Sequence, residues 1–170
     1  MSNKITITDI VKIAIVAALY VAVTMAPGLN AISSGAIQFR LSEMFNFLAF
    51  YNKRYIIAVT IGCMISNLLT YGIVDVFVGG LSTLLFVTLG VLLFDRFKGK
   101  YLIPGVLNLG FFYFSIFFAV SMFTIAAELK IMYDTPFFIT WLTTGLGEFV
   151  SLIIGSIIID RLSKLVDFVK

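Results

Sequence analysis

No histidine occurs anywhere in the 170 residues, and the single cysteine, Cys63, sits inside an apolar segment. Without an imidazole there is no histidine base, and one cysteine can make neither an internal disulfide nor a Cys-rich metal site. No metal or cofactor is expected. Charge is scarce as well: Asp, Glu, Lys and Arg make up 12% of the chain, about half the share in an ordinary soluble domain. No cluster of acids or serine with a general base stands in plausible catalytic spacing, which disfavours an enzyme. Nor is there a phosphate-binding Gly-rich loop with Lys, so energy from ATP would have to come from another protein. The N-terminus lacks the short apolar run and small-residue cleavage site of a signal peptide, and the first segment is expected to remain as a mature transmembrane helix. The net charge of +3 is scattered through short loops and not gathered with aromatics, which argues against nucleic acid.

What is present is apolar. Hydrophobic residues make up 61% of the chain, 18 of them Phe, and the mean hydropathy is +1.09. These values mark an integral membrane protein lying in a lipid bilayer. A spanning helix needs about 20 mainly apolar residues, and six segments are read as helices, at about residues 10–26, 40–51, 55–71, 76–94, 101–127 and 136–159. The expectation is an all-α, six-helix bundle forming a single membrane domain over 1–170. Pro27-Gly28 stops the first helix and opens a loop with Asn30, Ser33, Ser34 and Gly35. The second segment is too short to span and is expected to be a partial or tilted helix buried among the others.

Cations accumulate on the cytoplasmic side of membrane proteins. With both termini inside, the cytoplasmic set is Lys4, Lys12, Lys53, Arg54, Arg96, Lys98, Lys100, Arg161, Lys164 and Lys170, ten of the twelve cations, leaving Arg40 and Lys130 outside. Removing the short second segment would reverse every later loop, so count and orientation support each other. The outer half then collects Arg40, Glu43, Asp75, Glu128 and Asp134, and an outward-facing polar pocket is expected.

Within this frame, Gln38-Phe39-Arg40-Leu41-Ser42-Glu43 places an arginine and a glutamate on one helical face, with Asn46 on the next turn. They form either a self-satisfied ion pair or a ligand-facing site. Glu148 lies near the middle of the last helix, where an unpartnered carboxylate costs on the order of 2.5 kcal/mol or more. It calls for a ligand or a structural partner such as Arg40. Trp141, Thr144 and Gly145 share its face. Trp141 is suited to stacking on a heteroaromatic ring or to an interfacial belt, and Gly145 clears space for a planar ligand. Asn67 and Asp75 put an amide and a carboxylate at the outward end, Asp75 serving either a ligand or a turn. Ala14, Ala18 and Ala22 recur at four-residue intervals on the first helix, a small-residue strip for close packing inside the protein or against a partner.

Taken together, Gln38-Phe39-Arg40 with Ser42-Glu43, Gly62-Cys63 with Asn67, Asp75 with Gly79 and Thr83-Leu84, and Gly145-Leu146-Gly147-Glu148 resemble the QueT family of queuosine-precursor transporters over nearly the whole chain. That resemblance implies the substrate-binding (S) component of an energy-coupling factor (ECF) importer in a prokaryotic cell membrane. Its implied partners are a transmembrane coupling (T) protein and two cytoplasmic ATPases, and its substrate is a deazaguanine, queuine or its aminomethyl precursor. It further implies that the Ala14, Ala18, Ala22 strip docks the coupling protein. Glu148 or Glu43 would then accept the ring NH and exocyclic amine, Trp141 would stack, and Asp75 would meet a cationic arm. The competing readings are an S component for another small vitamin or nucleobase, a small membrane enzyme acting on a lipid or isoprenoid, and a structural subunit without a ligand.

Overall fold

A computed structural model describes residues 5–29 and 38–169. The loop positions Asn30, Ser33, Ser34 and Gly35, and the cations Lys4 and Lys170, lie outside the described residues. The first helix, α1 (Ile7–Met25), opens on a capping box: Thr6 N donates to Asp9 Oδ2 at 2.8 Å and Asp9 N donates to Thr6 Oγ1 at 3.2 Å. Its buried residues Val16, Ala17 and Tyr20 face the bundle, while Ala14, Ala18 and Ala22 are exposed.

The short second segment is a 3-10 helix, Leu41–Phe50. Ten residues is long for this form, which is usually confined to one turn, and its steeper rise carries them about 20 Å. Three residues per turn set Glu43 and Asn46 one above the other, and Asn46 Nδ2 donates to Glu43 Oε2 at 2.6 Å. The lower part is locked by rings: Phe47 lies 4.6 Å from Phe111 and Phe50 lies 5.5 Å from Phe114, centroid to centroid. Eight of the ten residues are buried, so this segment runs through the interior and the helices surround it.

Helix α2 (Tyr55–Thr70) and helix α3 (Ile73–Phe94) are joined through Gly72, whose φ of 100° suits only glycine. Asp75 therefore sits in the first turn of α3, where the sequence placed it in the preceding turn. The fifth expected helix is corrected more substantially. Its first eight residues form a hairpin, β1 (Tyr101–Ile103) paired antiparallel with β2 (Leu107–Asn108). Pro104-Gly105 disfavours a helix interior, and Gly105 takes φ 72° in the turn. Asn108 then caps α4 (Leu109–Ser121), its Oδ1 accepting Gly110 N at 3.0 Å. A break at Met122 leads into α5 (Phe123–Tyr133), so Glu128, read as a loop residue, is a buried helical one. The last helix is α6 (Phe137–Leu162).

Among the described residues the chain is all-α apart from that hairpin. Among the described residues, four helical stretches are long and apolar enough to cross a membrane, Ile7–Met25, Ile73–Phe97, Leu109–Tyr133 and Phe137–Leu162, and Tyr55–Thr70 is a shorter apolar helix. This is the make-up of a multi-pass membrane protein. One end of the bundle is basic and cross-linked. Arg54 pairs with Asp9, Lys98 Nζ donates to Phe50 O at 2.6 Å, and Asp160 accepts from Tyr101 Oη at 3.2 Å and meets Lys164 at 3.3 Å. Arg40, Asp75 and Glu128 gather around the other end of α2, near Asn67 and Tyr71, and the sixteen residues of that helix measure about 24 Å.

Candidate functional site

The upper part of the 3-10 helix brings its polar residues against α1, α2 and α6. Glu43 is 3% exposed and accepts from Tyr20 Oη and Asn46 Nδ2. Alongside, Thr24 Oγ1 donates to Ser42 Oγ at 2.7 Å. A Cβ at Gly62 would stand 2.8 Å from Tyr20 Cβ, so the glycine lets α2 close on the Tyr20 ring. Tyr20 was missed in the sequence, although its hydroxyl and that of Thr24 recur four residues apart on the side of α1 away from the alanines.

Arg40, Glu43 and Glu148 line one internal cavity together with Cys63, Thr83 and Phe118. Its volume is about 20 Å³, room for roughly one water and not for a bicyclic ring. Glu148 is 2% exposed and its Oε1 has no hydrogen-bond partner among the described residues. Of the alternatives left open, an ion pair of Arg40 with Glu43 or Glu148 does not form: the ion pairs among the described residues are Arg54–Asp9, Lys130–Asp134 and Lys164–Asp160. Arg40 instead stands 5.3 Å from the Tyr71 ring centroid and reaches Asn67 Oδ1 at 3.5 Å, the long limit of a hydrogen bond.

Asn67 is held from several sides. Its Nδ2 donates to Asp75 O at 3.1 Å and approaches Cys63 Sγ at 3.5 Å. A Cβ on Gly79 would collide with that amide, so the bare glycine is what lets α3 press Asn67 toward Arg40. Thr83 Oγ1 also donates to Cys63 Sγ at 3.3 Å. On the other side of Arg40 lies a second chamber of about 70 Å³ whose walls include Gln38, Tyr71, Asp75, Glu128 and Tyr133. Asp75 makes no side-chain cap of α3, and its Oδ2 has no hydrogen-bond partner.

Trp141 and Gly145 are placed elsewhere. They line a wide apolar groove between α4 and α6, with Ile116, Val120 and Phe149. Trp141 Nε1 donates to Val120 O at 2.9 Å, and a Cβ at Gly145 would stand 3.1 Å from Ala119 O. Trp141 does share a helical face with Glu148, but seven residues are about 10 Å along the axis. At the level of Trp141 the facing surface is the end of α4, not the cavity.

These polar groups, enclosed by apolar helices, suit the capture of a small polar molecule inside a membrane. The QueT transporter family matches residues 10–164. A queuosine precursor transporter QueT from Lactococcus lactis subsp. cremoris (strain MG1363) is 68% identical over 159 residues, covering 94% of this chain and 94% of that protein. No solved structure matches the chain. A family match from the first helix to beyond the last, together with that identity, shows that the chain belongs to the QueT transporter family.

Proposed function

We propose that this transporter is the S component of an ECF-type importer that takes up a queuosine precursor, queuine or its aminomethyl-deazaguanine precursor, across the prokaryotic cell membrane. The observation that carries the reading is the buried cavity where Arg40, Glu43 and Glu148 converge with Glu148 Oε1 unpartnered. A carboxylate can accept a ring NH and the adjacent exocyclic amine of a deazaguanine at once. Glu43 is already engaged by Tyr20 and Asn46, so Glu148 takes the ring edge and Glu43 holds the neighbouring wall. Phe118, and not Trp141, is the aromatic in reach of the ring. Arg40, oriented by Asn67 Oδ1, addresses the ring's acceptors, and Asp75 meets the substituent that projects outward.

The basic end of the bundle faces the cytoplasm and the Asp75 end faces out, with six membrane segments and both termini inside. That orientation is supported by the clustering of Arg54, Lys98 and Lys164 at one end. The exposed Ala14, Ala18 and Ala22 strip docks a T protein, which links the chain to two cytoplasmic ATPases. Uptake then consumes ATP in those partners, and this chain binds without it.

The test is equilibrium binding of queuine and the aminomethyl precursor to the purified protein without ATP, beside Glu148→Gln. Submicromolar binding that weakens tenfold or more in the variant is expected. Correctly folded protein that binds no deazaguanine would overturn the proposal.

A further inference from the structure

The outer chamber holds two acids that the inner cavity does not use. Asp75 comes from the first turn of α3 and Glu128 from α5. They are 7% and 8% exposed, and Asp75 Oδ2 and Glu128 Oε2 each have no hydrogen-bond partner among the described residues. Both side chains line the same chamber, so two buried carboxylates, each with an oxygen left unpartnered, address one small space. Buried polar atoms are rarely left in that state.

The charges around them are unbalanced in the same sense. The walls of the two chambers carry one cation, Arg40, against the four acids Glu43, Asp75, Glu128 and Glu148. Arg40 is directed at Asn67 and the Tyr71 ring and forms an ion pair with none of the four. Arg40 and Ile125 line both chambers, so a ligand seated in the inner one can extend a substituent past Arg40 into the outer one.

We propose that the outer chamber is an ammonium seat, in which Asp75 and Glu128 together hold a protonated amine on the substrate and so make the transporter select cationic over neutral congeners. This rests on the reading of the substrate as a deazaguanine. An ammonium brings a positive charge and two or three N–H donors, matching two convergent carboxylates. A nitrile at the same place brings only an acceptor and leaves both acids unsatisfied, which discriminates against it.

The experiment compares 7-aminomethyl-7-deazaguanine with 7-cyano-7-deazaguanine by equilibrium binding to the full chain, to Glu128→Gln and to Asp75→Asn. The readout is the ratio of the two affinities. The native protein is expected to prefer the aminomethyl ligand on the order of tenfold to a hundredfold, and that preference should collapse toward unity in each variant. Binding of the cyano ligand reports that a variant is folded, and the native ratio remains decisive if one variant is lost. Absence of a preference in the native protein, or a preference that survives both substitutions, overturns the seat while leaving deazaguanine uptake standing. In the second case Asp75 and Glu128 would be a structural pair sharing a proton. If the folded native protein binds neither ligand, the seat and the deazaguanine reading fall together.

Discussion

Tyr20 joins the face of α1 that lines the bundle to the acid at the centre of the site, because its hydroxyl is one of two donors to buried Glu43. Tyr20→Phe keeps the ring that packs over Gly62 and removes that donor. A buried carboxylate losing a donor costs about 1–3 kcal/mol, so a lower midpoint is expected in thermal unfolding of the purified protein. The loss should shrink when Glu43→Gln is added, since the two changes act on one contact. An additive pair of effects in the four-member cycle would show that the hydroxyl does not act through Glu43. The same residue scale explains why Glu148 stands out from Glu43: both are buried, but Glu43 has its donors within the chain and Glu148 Oε1 does not.

At the scale of elements, α1 is divided lengthwise. Val16, Ala17 and Tyr20 are buried, and Ala14, Ala18 and Ala22 look away from the bundle. Ala18 is exposed among the described residues, so Ala18→Trp is expected to leave ligand binding intact while reducing uptake by whole cells tenfold or more. Unchanged uptake would remove the strip from partner docking. The hairpin offers a different test. Asn108 caps α4 through Gly110 N and Phe111 N and also reaches Asp160 Oδ1 at 3.4 Å. Asn108→Ala should destabilise the protein by about 1 kcal/mol or somewhat more, read as a lower unfolding midpoint, whereas Asn108→Ser should recover part of the cap without setting a second carboxylate against Asp160.

For the whole molecule, the uneven distribution of cations becomes a statement about orientation. Lys98 and Arg54 stand at one end and Lys130 with Asp134 at the other. Cys63, the chain's own cysteine, is buried, so single cysteines placed on the surface report without background. A membrane-impermeant thiol reagent is expected to label Lys130→Cys in intact cells and to label Lys53→Cys only after permeabilisation. The reverse pattern would invert the bundle. The small volume of the inner cavity bears on the same scale: at about 20 Å³ it would have to widen to admit the ring of the proposed substrate.

Much of this was legible in the chain. Apolar runs of spanning length need no tertiary context, because backbone polar groups in lipid are satisfied only within helices, and a mid-helix carboxylate such as Glu148 is costly enough to announce itself. The spacing of Ala14, Ala18 and Ala22 likewise placed them on one face. Sequence periodicity, however, assigns a face and not a depth or a neighbour. It set Trp141 with Glu148, and only packing showed that the end of α4 occupies the surface Trp141 meets. It ended the fifth helix at about residue 127 and left Glu128 in the loop beyond, whereas α5, continuing past the break at Met122, buries Glu128 in the chamber that Asp75 also lines. What the sequence by itself determined was a membrane-embedded helical chain whose Arg40, Glu43, Asp75 and Glu128 were set apart from most of its cations. Which acids share a chamber was decided by the tertiary structure, because that depends on where helices cross, and crossing points are set by contacts between residues far apart in the chain.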